Sequence, residues 1–222
     1  MWAEGSRRDD RLPGTSGRSW CGPVGTVPPY DVALTEGAHV AKATFSGGCC
    51  WCLQPPFDPL EGVVATVVGY TGGRKTHPSH EDVTAGRTGH ALAMQVLYDP
   101  RRLSYPHLLD VFWHTIDPTV PNRQFCAIGV QYRAAIFYHD ETQKHCAEAS
   151  KRALVASQRF AARIVTRISP LEAFYPAAAC HQHGYRTHPQ CYRRCRAACG
   201  RDQRLRELWG AGVHVMSCSP VV

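Results

Sequence analysis

The stretch Ala43-Thr44-Phe45-Ser46-Gly47-Gly48-Cys49-Cys50-Trp51-Cys52 joins a strand pattern to a thiol-rich turn. Residues 39–46 alternate apolar and polar side chains, which predicts a β-strand at the edge of a sheet. Gly47 and Gly48 then permit a tight turn. A thiol directly after such a turn lies near free backbone N–H groups, which favour the thiolate over the thiol. We therefore expect Cys49 to be the reactive residue of the chain, with a pKa below that of a free cysteine.

Length and composition indicate one globular domain with tails. The chain has 222 residues, of which 44% are hydrophobic and 19% are charged, values typical of a soluble protein with a full core. No apolar run approaches the roughly 18–20 residues that span a bilayer. The N-terminal arginines are not followed by the apolar segment of a secretory signal. These observations predict a cytoplasmic protein with no membrane partner, in which cysteines remain largely reduced.

Cysteine and arginine are both clustered. The odd total of 11 cysteines argues against complete pairing, and such clusters in a cytoplasmic protein are more often catalytic or metal-binding than structural. The formal net charge is +7, and residues 186–206 contain seven arginines against one acid, Asp202. Because no nucleic-acid-binding module accompanies this basic segment, we expect no nucleic-acid partner.

The pattern along the chain divides it into three parts. Residues 1–37 are rich in Gly, Ser, Pro and Arg and predict a flexible leader. Residues 38–210 form the predicted domain, with a core over about 41–176 and a surface-wrapping segment over 177–210, and 211–222 form an extended tail. Strands are expected at 63–70, 90–98, 130–138 and 164–168, and capped helices from Ser104 to about 116 and from Asp140 to about 159. Interleaved strands and helices predict an α+β, two-layer fold.

Further motifs, taken in order, resemble those of the A-type peptide methionine sulfoxide reductases. Each is weak alone, but their order over about 41–210 makes the set specific. They are Gly48-Cys49-Cys50-Trp51-Cys52, Gly69-Tyr70-Thr71-Gly72-Gly73, Gly86-Arg87-Thr88-Gly89-His90-Ala91, Tyr98-Asp99-Pro100, Gln131-Tyr132-Arg133, Phe174-Tyr175-Pro176-Ala177, His181-Gln182 and Cys199-Gly200-Arg201-Asp202-Gln203.

The resemblance implies an α/β roll with a ferredoxin-like core and a specific thiol chemistry. Cys49 would attack the sulfur of methionine-S-sulfoxide, free or in proteins, and become a sulfenic acid, which a second cysteine converts to a disulfide that thioredoxin reduces. Trp51 would bind the substrate methyl group, with Cys50 where the family carries phenylalanine. The resemblance implies no cofactor, and we expect a monomer.

Three departures from the family pattern concern the proton that the sulfoxide oxygen must receive. Leu92 occupies the position of the family's glutamate, His80 that of a tyrosine, and Ala127 that of an aspartate, whereas Tyr132 is retained. General-acid catalysis contributes about 10²–10⁴ in rate. Tyr132 and His80 are therefore the candidate donors. The alternative is a weakened or inactive member that binds oxidised methionine or senses thiol oxidation.

Two thiols are candidates for the resolving cysteine. Cys52 is close to Cys49 in a CxxC spacing, and Cys199 lies in the tail motif that supplies a resolving thiol in one subgroup of the family. A further alternative is a zinc-binding tail. Its ligands would come from Cys180, His181, His183, Cys191, Cys195 and Cys199.

Overall fold

The computed structural model of the chain describes residues 39–210. The predicted leader (1–37) and tail (211–222) lie outside the described residues, and the division of the domain near residue 176 stays a prediction. Within the described range no helix has both the length and the apolar character needed to cross a membrane.

Six strands form the main sheet, in the order β7-β6-β1-β3-β2-β8. Neighbours are antiparallel except β6 and β7, which are parallel. Two further short strands, β4 and β5, pair as a separate hairpin. The bounds are β1 Ala41–Ser46, β2 Val63–Thr71, β3 Ala91–Tyr98, β4 Arg123–Gln124, β5 Ala127–Ile128, β6 Ala135–Tyr138, β7 Arg167–Pro170 and β8 Phe174–Pro176.

Seven α-helices and two 3₁₀ turns are found in residues 39–210. Ser104 and Asp140 cap α3 and α4 as predicted. Each side chain accepts a hydrogen bond from the backbone N–H three residues later in the chain, at 3.3 Å for Ser104 and 2.7 Å for Asp140. The bounds are α1 Cys50–Phe57, α2 His80–Thr84, α3 Tyr105–Trp113, α4 Glu141–Ala156, α5 Gly184–Thr187, α6 Pro189–Ala198 and α7 Arg201–Trp209, with 3₁₀ turns at Val130–Tyr132 and Ala179–His181.

The topology confirms the α+β fold with a ferredoxin-like core. The elements β1-α1-β2-β3-α3-β6 follow the βαββαβ order, and their four strands lie side by side as β6-β1-β3-β2. Phe45 stacks on Phe112 at 4.8 Å between ring centroids, which packs the sheet against α3. The Trp113 indole donates to Ser150 Oγ at 3.0 Å and so ties α3 to α4.

Three expectations about the strands are wrong in detail. Strand β1 lies inside the sheet rather than at its edge, and its buried polar side chains have partners on neighbouring segments: Ser46 Oγ donates to the Arg133 carbonyl at 2.9 Å and Gln95 of β3 donates to Thr44 Oγ1. Residues 130–138 begin with a 3₁₀ turn before β6. Strand β7 begins at Arg167 because Val165 N–H donates to the Pro118 carbonyl, outside the sheet.

Candidate active site

The thiol-rich turn places Cys49 at the N-terminus of α1. Gly48 has a φ of +84° and packs so closely on Gln124 that an added Cβ would lie 2.6 Å from the glutamine Cβ, so this position requires glycine. Cys49 is the N-cap of α1, and its carbonyl accepts from Cys52 N–H at 2.9 Å. Pro55 and Pro56 lie in the second half of the helix, which ends at Phe57.

Cys49 and Cys52 lie in the first turn of α1, where the Cys49 carbonyl accepts from Cys52 N–H at 2.9 Å. Interaction with the Cys52 side chain, followed by burial, raises the pKa of Cys49. Interaction with the Cys49 side chain, and then with Arg201 and Arg196, lowers the pKa of Cys52 to about 6. The expected lowering of the Cys49 pKa is therefore wrong.

Two arginines from the C-terminal helices supply the positive charge near Cys52. Arg201 is only 2% exposed, donates to the Thr115 carbonyl and lies over the ring of Phe125 at 4.4 Å. Arg196 also lowers the pKa of Cys52, and it pairs with Asp202 through Nε at 2.9 Å. Sequence reasoning missed both residues, since the arginine-rich segment looked like a solvated basic surface.

Trp51 is held by the segment that follows β8. Its indole N–H donates to the His181 carbonyl at 2.8 Å, and its ring lies parallel to that of His188, with 5.9 Å between centroids. A Cβ on Gly184 would collide with the indole. Gln182 fixes this segment to β2, because its amide exchanges two hydrogen bonds with the Val68 backbone at 2.8 and 2.9 Å.

Leu92 and Tyr70 belong to one small apolar cluster, against which Cys50 and Tyr132 pack. Burial raises the pKa of Cys50 to about 12, so this thiol stays protonated and packs as an apolar group. Leu92, at the position of the family's glutamate, is buried in the same cluster. Burial and the neighbouring Cys49 and Cys50 raise the pKa of Tyr132, so its hydroxyl keeps a proton to donate.

His80 contacts Tyr70 and His181. Its Nδ1 is 3.4 Å from the Tyr70 hydroxyl, and its ring stacks on that of His181 at 4.2 Å. Burial, and then repulsion from His181, lower the pKa of His80 to about 4. His80 is therefore neutral near pH 7.

Cys199 is not beside Cys49 as a free thiol. It forms a disulfide with Cys126, with 5.1 Å between Cα atoms, and Cys180 is also disulfide-bonded. Neither can serve as a thiolate ligand in this state, and no group of three or more metal-ligating side chains occurs within residues 39–210. Cys191 and Cys195 are free and exposed on α6.

Two cysteines in the first turn of a helix that perturb each other's pKa, beside aromatic side chains on a ferredoxin-like α+β scaffold, are typical of a thiol-dependent oxidoreductase. The family model described as peptide methionine sulfoxide reductase matches residues 41–212. The chain belongs to this family.

Curated relatives agree over most of their length. The chain is 47% identical over 169 residues to the peptide methionine sulfoxide reductase MsrA of Bacillus subtilis, covering 76% of this chain and 96% of the relative. It is 43% identical over 172 residues to that of Halalkalibacterium halodurans, covering 78% and 98%. The predicted enzyme class, a methionine sulfoxide reductase, is confirmed.

Solved structures show the same fold. Mxr1 from Saccharomyces cerevisiae in its reduced form superposes with a TM-score of 0.64 at 29% identity, covering 70% of this chain and 89% of that one. Methionine sulfoxide reductase A of Corynebacterium diphtheriae gives a TM-score of 0.61 at 29% identity, covering 68% and 76%.

Proposed function

We propose that Cys49 reduces methionine-S-sulfoxide, free or in proteins, by direct attack on sulfur. The observation that carries this proposal is the position of Cys49 at the N-terminus of α1, one helical turn from Cys52, whose N–H donates to the Cys49 carbonyl at 2.9 Å. Transfer of the Cys49 proton to Cys52 makes Cys49 the nucleophilic thiolate, whose sulfur bonds to the substrate sulfur. The sulfoxide oxygen takes a proton, and the hydroxyl group passes to the Cys49 sulfur while the bonds from the substrate sulfur to oxygen and to Cys49 break. The substrate sulfur gains two electrons and leaves as the thioether, and Cys49 is left as the sulfenic acid.

Tyr132 is the proposed proton donor to the sulfoxide oxygen. Burial, followed by the charges of the neighbouring Cys49 and Cys50, raises the pKa of Tyr132, so its hydroxyl keeps its proton. The phenolate regains a proton from the thiol pair, which leaves Cys52 as the thiolate again. His80 remains the second candidate donor, since its neutral ring contacts Tyr70. Trp51 and Cys50 form the proposed binding site for the substrate methyl group.

Cys52 is the proposed resolving cysteine. Its thiolate attacks the sulfur of the Cys49 sulfenic acid, the S–O bond breaks, and the oxygen leaves as hydroxide, which takes a proton to become water. Cys52 already contacts Cys49, whereas Cys199, the other candidate, is bonded to Cys126. Proximity therefore favours Cys52.

Thioredoxin is the proposed reductant of the resulting Cys49–Cys52 disulfide. Cys49 is half-buried while Cys52 is buried, so an attacking thiolate reaches the Cys49 sulfur first. The low pKa of Cys52 also makes it the better leaving thiol. We propose that the protein acts as a monomer in the cytoplasm, where reduced thioredoxin is available.

An epimer-resolved assay tests this function. Separate S and R epimers of methionine sulfoxide are incubated with the protein and dithiothreitol, and methionine is quantified for the wild type and for Cys49→Ser. We expect turnover of the S epimer only, abolished in Cys49→Ser, with Cys191→Ser at the wild-type rate. Equal background consumption by the wild type and Cys49→Ser would overturn the proposal.

The burial of Leu92 beside Cys50 and Tyr132 favours one other function, a protein that binds or senses without efficient turnover. The same assay separates the two. A sulfoxide-binding member would bind the S epimer in calorimetry and release no methionine, and a thiol sensor would form a disulfide with peroxide alone.

A further inference from the structure

Asp58 is a buried carboxylate that joins the end of α1 to the start of α5. It follows directly after α1, and its side chain is only 5% exposed. Its Oδ1 accepts a hydrogen bond from the Thr66 hydroxyl of β2 at 2.5 Å. Its Oδ2 accepts from the Tyr185 hydroxyl and lies 3.1 Å from Arg186 Nη2 and 3.3 Å from His183 Nδ1. One carboxylate thus binds three side chains of a single short segment.

Helix α5 depends on such contacts for its position. It contains four residues, Gly184–Thr187, and so short a helix is unstable in isolation. His183, its N-cap, has a φ of +49°, a left-handed conformation that is uncommon for a residue with a Cβ. The His183 N–H donates to Gln54 Oε1 at 3.1 Å. Gln54 and Asp58, one turn apart at the C-terminal end of α1, therefore fix the start of α5.

The same segment covers the indole of Trp51. Gly184 is buried so closely against the ring that an added Cβ would collide with it. His188, directly after α5, lies parallel to the ring, and the indole N–H donates to the His181 carbonyl ahead of α5. Helix α5 and its flanking residues therefore set the orientation of this ring.

The described part of the chain offers no substitute for the Asp58 carboxylate. Within residues 39–210 neither His183 nor Arg186 pairs with another acid. Arg186 is 58% exposed, so water screens its ion pair with Asp58. The hydroxyl of Tyr185 is the more important partner, because a hydrogen bond to a charged group is about twice as strong as one between neutral groups.

We infer that Asp58 is a positioning residue of the proposed substrate site: its carboxylate holds α5 against the Trp51 indole, and α5 holds the ring in the orientation that receives the substrate methyl group. This inference rests on the proposed role of Trp51 in binding that group. It gives a task in substrate binding to a carboxylate that acts only through α5.

Indole hydrogen exchange measures the hold on Trp51 without turnover. The protein is labelled with ¹⁵N-tryptophan, and the Trp51 signal is assigned from its absence in Trp51→Phe. We expect Trp51 Nε1–H to exchange with water about tenfold faster or more in Asp58→Ala, because α5 no longer covers the ring. The indoles of Trp113 and Trp209, which donate elsewhere in the core, should change far less. An equal change at all three indoles, or none, would overturn the inference.

Matched variants separate the carboxylate from other effects. Tyr185→Phe keeps the ring and removes the hydroxyl that donates to Asp58, so it should reproduce part of the faster exchange at Trp51. Glu61→Ala removes an exposed acid that pairs with Arg102 at 2.7 Å and should leave the exchange unchanged. Equal effects of Glu61→Ala and Asp58→Ala would overturn the inference. If Asp58→Ala does not fold, Asp58→Asn and Tyr185→Phe replace it, with the same criterion.

Steady-state kinetics with the S epimer test the consequence for the substrate. We expect Asp58→Ala to raise KM about tenfold and to leave kcat within a few-fold, because a misplaced ring weakens binding of substrate and transition state alike. If the wild type shows no turnover, the calorimetric Kd of the S epimer replaces KM.

Trp51→Ala is the reference variant and should raise KM at least as much. An unchanged KM in Asp58→Ala beside a raised KM in Trp51→Ala would overturn the inference. An unchanged KM in Trp51→Ala would instead overturn the proposed role of Trp51, while selectively faster exchange at its indole would still show the hold of Asp58.

Discussion

At the scale of single residues, the chemistry depends on which thiol of the Cys49–Cys52 pair carries the negative charge. Local sequence places a reactive cysteine after the glycine turn, but the backbone donors there are outweighed by the Cys52 side chain. The largest influence that lowers the pKa of Cys52 is Cys49 itself, and Arg201 and Arg196 lower it further. Because these arginines are remote in sequence, no local pattern could reveal their contribution.

Tyr132 and His80 differ in their ability to donate a proton. We expect Tyr132→Phe to lower kcat by about 10²-fold, in line with the loss of a general acid, and to leave KM within a few-fold. His80→Asn should have a much smaller effect. Steady-state kinetics with the S epimer provide the measurement, and the reverse order of effects would identify His80 as the donor.

Leu92 offers a gain-of-function test. A glutamate at this buried position, beside Cys50 and Tyr132, would retain its proton because burial raises a carboxyl pKa, and could donate it to the sulfoxide oxygen. We expect Leu92→Glu to raise kcat about tenfold or more, with Leu92→Gln as the isosteric control that cannot act as an acid. Equal rates in the two variants would contradict this role.

His80 links stability to pH. Its pKa of about 4 in the folded protein lies below the ordinary value of about 6.5, so the unfolded chain binds a proton that the folded one does not. Folding stability should therefore fall as pH drops from about 6.5 through 4. Urea unfolding at pH 7.0 and 4.5 should show a smaller loss in His80→Asn, and an equal loss in both proteins would argue against the buried, neutral histidine.

At the scale of elements, the active site is assembled by segments that are distant in sequence. Helix α1 supplies the thiols, and the segment from Gln182 to Gly184 covers Trp51. Gly184→Ala would push a methyl group into the indole, which typically costs about 1–3 kcal/mol of stability. Thermal unfolding should show this loss, and the double variant with Trp51→Leu should recover part of it. Additive losses would mean that Gly184 and Trp51 do not interact.

Periodicity predicted β2, β3, α3 and α4 well because each has a dominant buried face or a capping side chain. Periodicity failed where polar side chains form hydrogen bonds with backbone groups that are distant in sequence. Gln131 donates to the Thr84 carbonyl at 3.0 Å, and Arg133 donates to the carbonyls of Gly72 and Gly89 at 3.2 and 3.1 Å. These long-range bonds favour a tight turn over the strand that residues 130–134 suggest locally.

At the scale of the whole molecule, the C-terminal helices complete the domain. Trp209 is buried and donates to the Ile116 carbonyl at 3.1 Å, and Arg204 pairs with buried Asp117. The resemblance in motifs predicted the family and the ferredoxin-like core, yet it did not predict that Cys199 pairs with Cys126. Cysteine spacing alone does not fix a pairing, so this contact required the fold.

The Cys126–Cys199 disulfide closes a long loop, with a sequence separation of 73 residues. Such cross-links typically stabilise a fold by about 2–4 kcal/mol. Cys126→Ser should lose stability of this order in urea unfolding without reductant, and excess reductant should abolish the difference in stability between the wild type and this variant, since Cys180, which is also disulfide-bonded, is then reduced in both. A wild type insensitive to reductant would contradict the bond's contribution.

Attack on the sulfoxide by Cys49 and resolution by Cys52, as proposed, would leave a Cys49–Cys52 disulfide after a single turnover. To detect it, the wild type is mixed with one equivalent of methionine-S-sulfoxide without reductant, quenched, and its disulfides are mapped by mass spectrometry. We predict one methionine released for each new Cys49–Cys52 disulfide, with Cys126–Cys199 unchanged. A product in which Cys49 is joined to Cys199 would contradict the account.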